Sequence, residues 1–494
     1  MKLRDSTRDP ARARRASRAS RARTIALASA AAVALFVSGG VVGALVYAGH
    51  STGTAGTIPI AGAQTAPSIV APTTGDPRTS GAKPSGPTSS TSPHSSPGPR
   101  VDAVPAGVSL TQIDGGVGYF SRWPNGFPAT SAFIPIGVYP SQATPSALAG
   151  EGVNFFTPMR NEQAGTWCPV WSNPNGNDMT AVNAQPGFYA GGTFYEKADG
   201  RGWGQRAAFD VFGDELDGTS QGFFDCLPST ITSHNEAGSW GGLAAPAFLA
   251  AEAAAHAADP SRPSYIQVTT SFIDGGADEF YTFDQKRAIC AGADILSFDV
   301  YPLVMRGGQV WNTYDEVEEA RRYCQDSRPV MAFTEMDHMD GGTIYPQPAQ
   351  TTAEVWNAII AGARGVEYFD QYSDITDTSY TGAGHYPPGA MYNAIKATDA
   401  RIAALAPVIN APFANGYVKA SPDISVMAKY LDGHFYIFAI PHAAGSRSAT
   451  FTLAGAPNAK ITVLGENRTL DVTGGTFTDR FADADTVHIY EVSP

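Results

Sequence analysis

Eight short apolar runs punctuate the middle of the chain, at residues 133–139, 153–159, 187–190, 207–213, 265–272, 295–301, 330–334 and 366–369. Each is followed by a polar loop, and several of the gaps carry helical signals. Residues 242–258 are Ala-rich, 314–324 carry paired charges, and 353–363 repeat apolar side chains at helical spacing, with Trp356 inside the stripe as a core residue. Strand and helix alternating eight times over about 270 residues predicts an α/β fold, a (β/α)8 TIM barrel spanning 106–410. A doubly wound open sheet is the competing arrangement, but no Gly-rich phosphate loop follows the first strand. Past residue 409 the period shortens to two, with Ile424, Val426, Ala428 and Tyr430 leading into an Asp432-Gly433 hairpin turn and a run at 435–440. Further runs at 448–453, 461–464, 476–481 and 487–492 predict a small all-β sandwich over 411–494, packed on the barrel.

The first half-hundred residues follow neither period. Nine basic residues lie within 2–23, and an uncharged stretch follows at 24–49. This is an export signal or a transmembrane anchor occupying 1–50. The stretch is long enough to cross a bilayer, which takes about 20 apolar residues. Its basic flank would stay inside, favouring a retained anchor, whereas Val46-Tyr47-Ala48 offers a cleavage point that would release a secreted protein. Residues 51–105 are mostly Ser, Thr, Pro, Gly and Ala, with no Phe, Trp or Tyr. Such a segment buries too little apolar surface to offset its chain entropy and predicts a disordered linker, spanning on the order of 40 Å as a flexible coil. The chain is thus expected to present its folded part outside the cytoplasm, membrane-anchored or secreted.

Charge narrows the partners. Of 33 basic and 46 acidic residues, 9 and 2 lie within 1–23, leaving 24 against 44, a net charge of −20 for the rest. A surface of that sign repels phosphate backbones, so nucleic acid is excluded as a partner and neutral material is favoured. Four cysteines, Cys168, Cys226, Cys290 and Cys324, form an even set suited to disulfides in an oxidising exterior. Cys290 and Cys324 immediately precede the sixth and seventh strands and should pair near the barrel's N-terminal end; Cys168 and Cys226 follow the second and fourth and should pair among the loops of the opposite face. No spacing suggests zinc, no metal or cofactor is expected, and no obligate protein partner is evident.

Chemistry in such a barrel sits where strands end at their C-terminal side. The fourth run ends Phe209-Asp210-Val211-Phe212-Gly213-Asp214-Glu215 and the seventh ends Ala332-Phe333-Thr334-Glu335. Two glutamates therefore meet one rim from opposite sides of the mouth. In this the segment resembles the clan A glycoside hydrolases, retaining enzymes with an acid/base on strand four and a nucleophile on strand seven. The resemblance implies that Glu215 is the proton donor and later base, and that Glu335 attacks the sugar. A glycosidic oxygen leaves poorly unless protonated, and the oxocarbenium-like carbon needs an anion beneath it. Two carboxyls about 5 Å apart in opposite protonation states supply both.

The same resemblance gives supporting roles to Arg160 and Tyr301, which would hold Glu335 ionised and oriented. Asp299 and Asp370 are candidate ligands for sugar hydroxyls, and Trp167 and Trp171 candidate platforms for sugar faces. Two departures stand out. Asp214 precedes the acid/base where the clan commonly has Asn, and strand eight ends Phe369-Asp370-Gln371-Tyr372 where a Trp is common. A catalytically silent barrel that binds glycan or scaffolds the cell envelope is the alternative these departures keep open.

Overall fold

The computed structural model describes residues 104–493, apart from 140, 142, 158–178, 194–206, 212–214, 216, 218–243, 270–271, 274–280, 300, 306, 340–341 and 371–374. The predicted signal and all but the last two residues of the predicted linker lie outside them. Among the described residues no helix is long and apolar enough to cross a membrane.

Eight parallel strands close into a barrel. They are β2 (Ile136–Tyr139), β3 (Phe155–Phe156), β4 (Tyr189–Thr193), β5 (Ala207–Val211), β6 (Ser264–Val268), β7 (Ile295–Asp299), β8 (Val330–Glu335) and β9 (Gly365–Phe369), and β9 pairs back onto β2. Each falls within or beside one of the eight apolar runs. The helices are α1 (Pro145–Glu151), α2 (Met179–Ala184), α3 (Ala245–Ala258), α4 (Phe283–Gly292), α5 (Asn312–Cys324), α6 (Pro348–Ile360) and α7 (Ala390–Ile409). Their starts follow local chemistry. Thr144 caps α1 by accepting from the Ala147 amide, with Pro145 at the first helical position. Thr282 and Gln285 form a reciprocal capping box on α4.

Inside the barrel, side chains stack in layers. The floor is apolar: Phe155, Phe209, Tyr265, Ile295 and Met331 meet Phe127 and Tyr119, which plug the N-terminal end. Gly137 is needed here, because a Cβ on it would fall 2.2 Å from Cζ of Phe155. Above the floor lies a polar layer around Glu367. Above that, Tyr139, Tyr301, Phe333 and Phe369 form an aromatic layer just under the mouth.

The remaining strands are β1 (Ser109–Thr111), β10 (Phe413–Asn415), β11 (Val418–Ala420), β12 (Ile424–Leu431), β13 (His434–Pro441), β14 (Arg447–Leu453), β15 (Asn458–Val463), β16 (Arg468–Thr473), β17 (Thr476–Phe481) and β18 (His488–Ser493). They form one antiparallel sheet in the order β1-β10-β12-β13-β18-β15-β16-β17-β14-β11. Asp432 and Gly433 both have positive φ, 51° and 89°, and close the β12–β13 hairpin with Leu431 opposite His434, the turn their sequence predicts. The expected two-sheet sandwich is thus a single continuous sheet whose two halves share a core. Ile437, Ala439 and Tyr490 from one half meet Phe451, Phe477 and Phe481 from the other. The alternate residues of β13, Phe438 and Ile440, join the barrel's cluster, and the Trp356 ring of α6 lies 6.2 Å from that of Phe438.

One disulfide joins Cys290 of α4 to Cys324 at the end of α5, Cα to Cα 5.2 Å, as expected from their places before strands six and seven. Cys168 and Cys226 lie outside the described residues. The bridge closes a loop of 34 residues, which in the chain-entropy account is worth about 3 to 4 kcal/mol. Replacing both cysteines with Ala should therefore lower the unfolding free energy by about that amount; equal denaturant midpoints with and without the bridge would contradict it.

Candidate functional site

The C-terminal ends of the barrel strands gather most of the described candidate residues into one hydrogen-bonded system. Glu215 follows β5 with φ 47°, a left-handed conformation that a glutamate keeps only when its surroundings hold it. Two contacts hold this turn to the neighbouring strand. The Glu215 amide donates to Oε1 of Gln267 at 2.6 Å. Asp217 accepts from the amide and the hydroxyl of Thr269, both at 2.7 Å. Gln267 in turn donates through Nε2 to Oδ1 of Asp299 at 2.7 Å, and the Tyr301 hydroxyl donates to the same oxygen at 3.2 Å. The turn carrying Glu215 is thereby linked through β6 to the two candidates at the end of β7.

Glu335 is the last residue of β8 and is fully buried. Its Oε1 accepts from the Leu303 amide at 2.7 Å and its Oε2 from the Val304 amide at 3.0 Å, both in the turn after Tyr301. By resemblance Tyr301 would donate to Glu335; here its hydroxyl donates to Asp299. Glu335 also lies against helix α6. The Thr351 hydroxyl donates to its carbonyl at 2.9 Å, and Oε2 of Glu354 accepts from its amide at 3.3 Å. Burial raises the Glu335 carboxyl above the usual carboxyl range, against the opposing effect of neighbouring Glu354 and the two amides. Glu354, also fully buried, is pushed well above the usual carboxyl range, first by burial and then by Glu335.

Asp370, directly after β9, is buried and accepts from the Ile375 amide at 3.0 Å. Phe369 before it packs its ring 5.4 Å from that of Tyr301. Beyond Glu335, the buried Asp337 accepts from the Tyr380 hydroxyl and from His338. The His338 ring then lies tilted against that of Tyr345, which stacks on His385, with centroids 4.8 and 4.9 Å apart. Arg160, Asp214, Trp167 and Trp171 lie outside the described residues.

The residues around Glu367 are absent from the sequence-based candidates. Glu367 accepts from the hydroxyls of Thr157, Tyr265 (2.8 and 3.0 Å) and Ser297 (2.7 Å), and burial raises it to about 7. A signal was available, since a carboxyl set between Val366 and Tyr368 in an apolar run has an inward parity and no water to face. Gln267 carries the same signal, two residues from Tyr265 on one face of β6.

No protein-family model matches the sequence. No curated protein matches it either. Among solved structures it is similar to a GH30 endoxylanase from Clostridium papyrosolvens C71, with 12% identity over 78% of this chain and 98% of that one, at a TM-score of 0.41. It is similar also to a GH27 β-L-arabinopyranosidase from Geobacillus stearothermophilus, with 10% identity over 76% and 98% of the two chains and a TM-score of 0.41. An α-amylase from Geobacillus thermoleovorans, complexed with acarbose, gives 9% identity over 72% and 91%, at 0.38. Likenesses this distant carry no argument about what the chain does, and the barrel rests on its own strand pairing.

Proposed function

We propose that the chain is an extracytoplasmic retaining glycoside hydrolase acting on a neutral oligo- or polysaccharide. The observation behind this is that Glu215, just past β5, and Glu335, at the end of β8, stand at the same rim of a closed barrel, on strands four and seven. In this mechanism Glu215 protonates the departing glycosidic oxygen while the Glu335 carboxylate attacks the anomeric carbon. Glu215 then takes a proton from the water that releases the sugar from Glu335. In this reading Asp299 and Asp370 bind sugar hydroxyls around the mouth, Tyr301 supports the surroundings of Glu335, and Arg160, Asp214, Trp167 and Trp171 complete the site. The basic and apolar N-terminus would deliver the domain, anchored or released, to where glycans are, and the acidic remainder suits an uncharged substrate.

One observation favours a second reading: Glu335 is fully buried and both of its oxygens are taken by backbone amides. That suits a barrel that binds glycan, or scaffolds the envelope, without cleaving it. A panel of 2-deoxy-2-fluoroglycosyl fluorides of the common neutral sugars separates the two. A hydrolase of the proposed kind gains one glycosyl mass on the peptide containing Glu335. Hydrolysis with the label on another carboxylate would overturn the nucleophile assignment, and glycan binding with neither label nor turnover would establish the second reading.

A further inference from the structure

Glu354 belongs to none of the roles above, yet it touches the proposed nucleophile from a helix whose other buried residues are mostly apolar. Oε2 of Glu354 sits 3.3 Å from the Glu335 amide, so two fully buried carboxyls lie side by side, and as two carboxylates they would only repel unless one of them holds a proton. The geometry says which side holds it. Glu335 presents both oxygens to N–H donors, an arrangement suited to an anion. Glu354 accepts only the longer 3.3 Å bond from the Glu335 amide on Oε2, and its buried Oε1 receives no donor from any described group. We propose that Glu354 is a neutral carboxylic acid that donates its proton in a hydrogen bond to Glu335, and is the positioning residue that keeps the proposed nucleophile ionised. This rests on the proposed role of Glu335, although the sharing of the proton does not.

The surroundings agree in sign. On the Glu335 side the described groups are the Leu303 and Val304 amides, the Thr351 hydroxyl on its carbonyl and Glu354. On the Glu354 side they are Glu335 and, from the β17–β18 connection, Asp485, which disfavours a second negative charge there. All the charges named are acidic, so a proton on Glu354 is what relieves the repulsion. Burial in α6 completes the case: an ionised Glu354 would lie in a helix segment fully covered from Ala353 to Ile360, without a cation among the groups acting on it.

Infrared difference spectra at pH 7 test the proton directly. Glu354→Gln should lose one protonated-carboxyl C=O band, and Glu335→Gln should keep it. Loss of that band in Glu335→Gln instead, or no change in either variant, would overturn the assignment. The kinetic arm uses the sign of a shift. Glu354→Leu removes the donor, so the acid limb of kcat/KM should move to higher pH by about one unit or more, and Glu354→Gln, which retains an N–H donor, should move it less. Movement to lower pH would mean that Glu354 had been a carboxylate, and would also overturn the proposal. Should Glu354→Leu fail to fold, the isosteric Gln variant and the spectra still decide. If the wild-type protein hydrolyses nothing, the functional proposal fails while the infrared result stands by itself.

Discussion

Glu335→Gln is expected to lower kcat for glycoside hydrolysis by at least ~10³-fold, since an amide cannot form the glycosyl ester. Glu215→Gln should cost ~10²- to 10⁴-fold on substrates with a poor leaving group, and far less on an activated aryl glycoside whose leaving group departs without a proton. The contrast between the two variants, more than either loss, distinguishes nucleophile from acid/base. Steady-state kinetics on an alkyl and a dinitrophenyl glycoside checks it. If Glu335→Gln is the variant spared by the better leaving group, the two roles are exchanged. The Glu335 variant should also be less stable by about 1 to 3 kcal/mol, because its NH2 group meets an N–H donor, of Leu303 or Val304, where the carboxylate offered an acceptor.

Glu367→Gln is expected to change the pH dependence of stability rather than activity alone. Burial raises the folded-state Glu367 to about 7, from an ordinary 4.5. Below 4.5 the carboxyl is protonated whether the chain is folded or not, so its favourable contribution is fully present. Between 4.5 and about 7 the unfolded chain gives up its proton and the folded one keeps it, so stability falls by roughly 1.4 kcal/mol per pH unit until the folded group also ionises. The loss amounts to roughly 3 kcal/mol by pH 8. Gln cannot ionise and can still accept from Tyr265 and Ser297, so the variant should gain roughly that much relative to wild type between pH 4.5 and pH 8. Denaturant titrations at the two pH values measure it, and parallel changes in both proteins would show that Glu367 is not the source.

The barrel was legible because its strands are covered on both faces, which turns each into an uninterrupted apolar run. All eight runs became strands, although the run at 187–190 gave a strand shifted to Tyr189–Thr193, where two glycines dilute the signal. The strand β1 was not legible. Three exposed residues carry no period, and their pairing with Phe413–Asn415 depends on contacts about three hundred residues away. The place of Glu215 and Glu335 at one rim was legible because barrel topology makes the ends of runs meaningful. The burial of Glu354 was not legible because a glutamate on a helix ordinarily faces water. The helix itself held the clue: with Ala353, Val355, Trp356, Ala358, Ile359 and Ile360 distributed around its axis, its segment from 353 to 360 has no solvated side on which Glu354 could lie. The disulfide between Cys290 and Cys324 was readable from position alone, since two consecutive strand entrances share one end of a barrel.

The pairing of β1 with β10 also fixes an order of events during synthesis. β1 is the first described strand to leave the ribosome, and Thr111 finds Phe413 only after the entire barrel has been made. Until then it is an unpaired strip waiting on the longest loop closure in the fold, a contact of the kind that forms late. The sheet is therefore a bracket around the barrel rather than an appendage to it. Severing the backbone after Ile409 would leave the two parts joined through the strand that preceded both.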